Sequence, residues 1–353
     1  MLSRLYPTHE GRGKLRIEIN KDFLVEEYGR FIATLVPVDG RFTRFGGGAR
    51  MGVAASLAAC LIALGIAGIA LAQESARVSA DTNPGELVRA TVANEVAASN
   101  DASIKHLFCS RKQSHSGTQT RLFVETRDAI AAMTIAYDDH PLSAQQAQDE
   151  QARLDGLKGN PEELARKHSQ EKTDAERTAR IVRALPDAFL YEYAGTEKCR
   201  PGMGKEGDEL VRLKFRPNPA YTPPSRVEEV LRGMQGFVLI DAAARRLARI
   251  DATLFKEVSF GWGIFGHLDK GGHFGVEQAA LPDGSWDISR MQLSFTGKIL
   301  LFKSLNISAD EVFSDFRRVP ADITFAKGVE MLKAEEARLA AEHIPEAAAL
   351  KSH

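Results

Sequence analysis

Apolar residues change their spacing several times along this chain, and each change predicts a different element. An uncharged apolar run, MGVAASLAACLIALGIAGIALAQ, fills positions 51–73. Beyond it Leu87, Val88, Val92 and Val96 recur at helical spacing. Asn83 caps that helix, Pro84 suits its first turn, and Glu86 occupies the capping-box position. One amphipathic helix is therefore expected, ending near Asn100. From His106 the period falls to two. HLFCSRK, TRLFVET and AAMTIAY read as consecutive strands, with Met133, Ile135 and Tyr137 on one face and a polar turn from Ser114 to Gly117.

The texture changes again between Ser143 and Leu185. Ser143 and Gln146 form a capping box for a helix ending near Gly156, and Asn160-Pro161-Glu162-Glu163 starts another. Glu162 with Arg166, Glu163 with Lys167 and Glu176 with Arg180 are i,i+4 pairs of the favourable orientation. Each such pair adds about 0.2–0.5 kcal/mol, which supports a helix without creating a core. The second helix turns apolar only at Ile181, Val182 and Leu185, just before Pro186. A charged helical hairpin inserted between strands is expected. Its early turns should be solvated, and residues 147–173 should be removable without unfolding the sheet.

Period-two segments then continue almost to the C-terminus. AFLYEYAG and ELVRLKFRP come first, and then a proline-rich interruption, NPAYTPPS. GFVLID, RLARIDATLF, EVSFGWGIFG, GHFGVEQAA, SWDISRMQLSF, GKILLFKS and EVFSDFRRV succeed it at a spacing of about ten residues. Such a series is an antiparallel meander rather than a βαβ array. The fold class is α+β: a large curled antiparallel β-sheet, an open half-barrel meander. It carries an N-terminal helix, a charged helical hairpin insertion and a C-terminal helix. An open sheet this wide tends to curl, and its inner face then needs helical cover or forms an apolar cavity. The chain divides into an extension at 1–50, the apolar run at 51–73, the curled-sheet domain at 74–323 with its insertion at 143–185, and a C-terminal helix and tail at 324–353.

Charge and composition narrow the function classes. The 353 residues are 44% hydrophobic and 26% charged with a net charge of -1, so the chain offers no global field for nucleic acid. Arg41, Arg44 and Arg50 precede the apolar run, Glu74 and Asp81 come after it, and it ends in Ala70-Leu71-Ala72. That asymmetry and those small residues fit a cleaved signal peptide, with a retained signal anchor or a buried core helix as the other readings. Either of the first two exports the chain beyond Gln73. The expected location is therefore the periplasm or cell envelope, with membrane contact through Met51–Gln73 if the run is retained. Residues 1–50 read as a disordered extension or as sequence upstream of the true start. Leu57-Ala58-Ala59-Cys60 matches a lipobox on paper, but half of the apolar run lies beyond the cysteine. Cys109 and Cys199 fall in the exported part, where a bridge is permitted and free thiols are equally compatible.

The strand GFVLID at 236–241, a short turn and Leu247-Ala248-Arg249-Ile250 make a strand–turn–strand pattern. With the leading helix and the meander, it resembles the outer-membrane lipoprotein carrier superfamily of bacterial periplasms. The resemblance spans roughly 83–135 and 188–320, and the chain departs from the short carriers in its length and its charged insertion. It implies an acyl chain held inside the curled sheet and a lipid or acylated protein as partner. On that reading Phe237, Leu239, Phe255, Trp262 and Phe274 are the expected cavity lining, with Val238 and Ile240 on the other face.

The search for chemistry gives less. GHLDKGGHFGVEQ brings His267, Asp269, His273 and Glu277 near one turn. Two imidazoles and a carboxylate would suit zinc, but a polar hairpin tip is the preferred reading, and no metal or cofactor is assigned. Asp138-Asp139-His140 before Pro141 reads as a strand-to-helix turn. Gly-x-Ser-x-Gly, His-Glu-x-x-His and Cys-x-x-Cys patterns do not occur. The expected function is non-catalytic binding of an apolar ligand or acylated partner. The alternative is a periplasmic interaction or sensor module with a filled core, using the insertion as its binding element. A metal-dependent enzyme built on His267 and His273 stands third.

Overall fold

The computed structural model describes residues 83–225, 227–260, 266–299 and 303–349. The extension at 1–50, the apolar run at 51–73 and Trp262 lie outside the described residues. Helix α1 (Pro84–Ser99) opens where Asn83 accepts a hydrogen bond from the Gly85 amide at 2.8 Å. Glu86 pairs with Arg89 at 2.9 Å, an i,i+3 contact along the helix surface, in place of the expected capping box. Three strands come next: β1 (Lys105–Ser114), β2 (Gly117–Val124) and β3 (Ala131–Tyr137). Asp138 and Asp139 both have positive φ (48° and 60°) and return the chain into the two-residue strand β4 (His140–Pro141). They form a tight hairpin turn, so the expected strand-to-helix turn is corrected.

The insertion consists of α2 (Ala144–Gly159) and α3 (Pro161–Ala188). The Ser143 capping box forms at the start of α2, and Asn160 caps α3. Pro186 does not stop α3, which runs on to Ala188. Lys167 turns to Glu171 at 2.8 Å, and Arg180 leaves the helix surface to grip Glu228 at 2.9 Å.

The early turns of α3, residues 161–170, are mostly exposed as expected, whereas α2 is built into the fold. Leu154 is fully buried, and Leu157 is buried beside it. Glu150 accepts the Thr134 amide at 2.7 Å, and Arg153 donates to the Ala132 carbonyl at 2.7 Å, so α2 ties down β3. Burial works against ionising Glu150, but the hydrogen bonds from Arg153 and Thr134 outweigh it and lower its pKa.

The remaining strands are β5 (Phe189–Lys198), β6 (Glu209–Pro217), β7 (Met234–Asp241), β8 (Arg246–Leu254), β9 (Val258–Phe260), β10 (Gly266–Leu268), β11 (His273–Ala280), β12 (Trp286–Ile299) and β13 (Lys303–Val319). A 3-10 turn, Glu228–Gly233, precedes β7, and α4 (Phe325–Ala349) ends the described chain. GKILLFKS is not a strand of its own: residues 297–299 prolong β12, and residues 303–304 open β13. No glycine, proline or asparagine stands between Lys298 and Leu305, so the period alone gave no sign of two strands there. EVSFGWGIFG likewise contributes to two strands, β9 and the start of β10, which pair with each other.

Among the described residues, all strands join one antiparallel 13-stranded sheet in the order β4-β3-β2-β1-β13-β12-β11-β8-β7-β6-β5, with β9 and β10 off this path. It is curled and not closed. A flat sheet would separate β2 from β5 by eight strand spacings, roughly 38 Å at about 4.8 Å each. Yet Glu125, just after β2, and Tyr191 of β5 line one small cavity. Helix α1 and the apolar end of α3 fill the inside of that curl. A second core lies on the other face, where α2 and α4 cover β1–β3 through Leu154, Val329 and Leu332. A third, smaller cluster, Met203, Leu210, Leu239, Ala248 and Trp286, lies on the outer face of β6–β8. Among the described residues no helix is long and apolar enough to cross a membrane.

Candidate functional site

Two adjoining cavities lie where α1 and α3 meet the inner face of the sheet. The first, of about 110 Å³, is walled by Val88, Val92, Val182, Val238, Ile240 and Leu247. Its rim is polar and includes Glu95, Glu125, Arg246, Gln278 and Asp287. The second, of about 100 Å³, is walled by Phe189, Phe215, Met234, Ile250, Phe274, Val276 and Phe295, with Thr178 and Gln278 as its polar lining. Val182, Leu185, Leu247 and Gln278 border both. An engineered apolar cavity of about 150 Å³ accepts benzene, so this space suits a short apolar segment rather than a whole acyl chain.

Strand alternation decides which residues reach this space. Val238 and Ile240 of β7 point into the core under α1. Phe237 and Leu239 point the other way, into the outer cluster, so their assignment to the cavity lining is corrected. Leu239 is fully buried there. The Phe237 ring takes the Arg212 guanidinium 3.6 Å from its centroid and that of Arg249 at 5.5 Å. Phe255 is half-buried with the Lys256 ammonium 5.5 Å from its ring and is not among the lining side chains of either cavity. Phe274 does line the second cavity.

Sequence reasoning did not single out the helix residues Val88, Val92, Val182 and Leu185 as lining. Their signal is the apolar stripe of an amphipathic helix, which has to be buried against something. Glu95 and Arg246 pair at 2.9 Å with both side chains mostly buried, and Glu95 also accepts the Leu247 amide at 2.8 Å. This pair clamps α1 to β8. Thr91, also in α1, is buried at the first cavity, and its hydroxyl has no hydrogen-bond partner.

Beside the same rim lies a buried imidazole that sequence reasoning missed. His106 Nε2 lies 3.1 Å from Asp283 Oδ2, while Nδ1 lies 3.6 Å from Asp287 and 3.8 Å from Glu125. Burial alone would lower its pKa, but the nearby Asp287 carboxylate, the hydrogen bond to Asp283 and the charge of Glu125 outweigh it, and the value is raised. Burial also opposes ionisation of Asp283, yet hydrogen bonds from Ser285 and His106 hold it down at about 2. Ser285 Oγ is 3.4 Å from His106 Nε2, which gives the outline of a Ser–His–Asp set. The proton of Ser285 goes elsewhere: its hydroxyl donates to Asp283 Oδ1 at 2.5 Å. The Ser285 hydroxyl is thus committed to Asp283 and does not donate to the imidazole. This cluster ties β1 to the segment that leads into β12.

The four residues grouped around the Lys270–Gly272 turn do not stay together as one metal set. His273 faces Asp251 at 3.3 Å, and Glu277 is held by Arg249 at 2.8 Å and by Arg200. Asp269 stays with His267 at 3.3 Å. Cys109 and Cys199 are free thiols, and burial pushes the Cys109 pKa up to about 11.

The fold and its cavities define an α+β protein whose curled antiparallel sheet is covered by helices over an apolar seam. Comparison of the chain with protein families, with curated proteins and with solved structures gives no match.

Proposed function

We propose that this chain is an exported cell-envelope protein that binds an apolar ligand or an acylated partner, without catalysis, in the manner of lipoprotein carriers. The observation that supports this reading is the seam of two adjoining apolar cavities between the sheet and its helical cover. Leu247 and Val182 border both cavities, so a ligand entering one meets the other. Each methylene buried there contributes about 0.8 kcal/mol, and an apolar wall suffices without a specific polar contact. The space between cover and sheet is short, so a longer chain has to displace the α3 end. Export rests on the apolar run at 51–73 and the arginines before it.

The test is uptake of a fluorescent fatty acid by the mature protein, compared with Val238→Glu and Leu239→Ala. Val238→Glu places a carboxylate in the first cavity and abolishes uptake. Leu239→Ala lies on the outer face and leaves uptake unchanged in whatever fraction stays folded. Absence of uptake by the wild type rejects the carrier reading in favour of an interaction module with a filled core.

A further inference from the structure

The geometry points to a divalent transition-metal site, of the zinc class, on Glu257, His267 and Asp269 at the β9–β10 pair. One donor atom from each of these side chains lies within 4.8 Å of the others. The sequence does not show the grouping, because Glu257 stands ten positions before His267. The strand pairing creates it. Ser259 lies opposite His267 and Val258 opposite Leu268, so the next step brings Glu257 to Asp269. Alternation puts Glu257, Ser259, His267 and Asp269 on one side of the pair, while Val258, Phe260 and Leu268 are buried in the main core.

Two further observations support a bound cation. Carboxylates placed opposite each other across a strand pair repel, and a metal between them turns that repulsion into ligation. Glu257 is also held in place, since Ser259 Oγ donates to its Oε1 at 3.0 Å; outer partners of this kind orient metal ligands. Tetrahedral zinc with bonds of about 2.0–2.1 Å needs donor atoms about 3.3 Å apart. His267 Nε2 and Asp269 Oδ1 already stand at 3.3 Å. One imidazole and two carboxylates leave a fourth position for water and favour zinc over calcium, which prefers an all-oxygen set.

The site would act on the end of the core. The buried face of the β9–β10 pair belongs to the same core as Leu231, Met234 and Phe295, which line the second cavity. The approach to the 3-10 turn is close: a Cβ added at Gly233 would stand 2.2 Å from Val258 Cγ2. Metal on the outer side therefore pins an edge element whose inner side helps close the core. Lys298 pairs with His267 across β12 and is the competing counter-charge.

The experiment is calorimetric titration of chelator-treated mature protein with zinc chloride, with thermal melting alongside. One equivalent should bind and raise the melting temperature. His267→Ala and Glu257→Gln should each weaken binding at least about tenfold and cancel the rise, while His273→Ala changes neither. Glu257 is exposed, so E257Q carries the test if H267A does not fold. No binding by the wild type would mean that Lys298 suffices and would overturn the proposal. Binding unchanged in E257Q, binding lost in H273A, or calcium binding as tightly as zinc would overturn it equally.

Discussion

Filling the cavity is the sharpest use of the geometry. Val182 of α3 borders both cavities. Val182→Phe adds about four carbon atoms there, and at about 0.8 kcal/mol per buried carbon the ceiling is roughly 3 kcal/mol. Rotamer strain and imperfect fit take back much of that, so a net gain of about 1 kcal/mol is expected. For a chain of this size such a gain raises the melting temperature by about 2–4 °C. Were the seam already packed, the ring would overfill it at a cost of about 1–3 kcal/mol. The sign of the change therefore decides whether the space is real. The assay pairs urea unfolding with fatty-acid uptake on wild type and variant. Greater stability with lost uptake is the expected outcome. Lower stability with uptake retained would refute the placement of the ligand under α3.

Three more outcomes rest on particular contacts. Leu154→Ala removes a fully buried side chain between α2, α4 and β3 and should cost about 2–5 kcal/mol by urea unfolding; a loss under about 1 kcal/mol would mean that the insertion merely rests on the sheet. Replacing 147–173 by a short link should abolish cooperative melting, since it removes Leu154, Leu157 and Arg153 together; a sharp transition at the wild-type temperature would restore the view of a separable hairpin. The raised pKa of His106 means that its contribution to stability is complete below about pH 6.5, the ordinary histidine value, and fades as pH rises through the folded value. Unfolding free energy should fall as pH rises above about 6.5 in the wild type and less steeply in His106→Gln; equal slopes would show that the imidazole is not charged in the folded state.

Strand positions were legible because burial on one face imposes period two. The segments read at 131–137 and 209–217 coincide with β3 and β6. The inward face was not legible in GFVLID, where Phe237, Val238, Leu239 and Ile240 are all apolar and alternation gives two faces of similar character. Tertiary packing settles it: α1 covers Val238 and Ile240, while Arg212 and Arg249 cover Phe237. The insertion misled for the opposite reason. Leu154 and Leu157 are isolated among charges, and two leucines per helix carry little periodic signal, yet each fills a gap left by β3 and α4. His106 and its three carboxylates were invisible because they are scattered in sequence: the β1–β2 register brings Glu125 to the imidazole, and the strand order β1-β13-β12 brings Asp283 and Asp287. The Glu257–His267–Asp269 grouping was half legible through His267 and Asp269, and its third member came from strand register.

The carrier reading stands or falls on whether an apolar ligand occupies the seam between α1, α3 and the sheet. Native mass spectrometry of the protein purified from its own cell envelope asks this without a surrogate ligand. A retained lipid or acylated species is expected on the wild type, and its loss is expected from Val182→Phe. A bare polypeptide mass for folded wild type, with no adduct recovered after incubation with envelope lipids, would contradict occupancy of the seam.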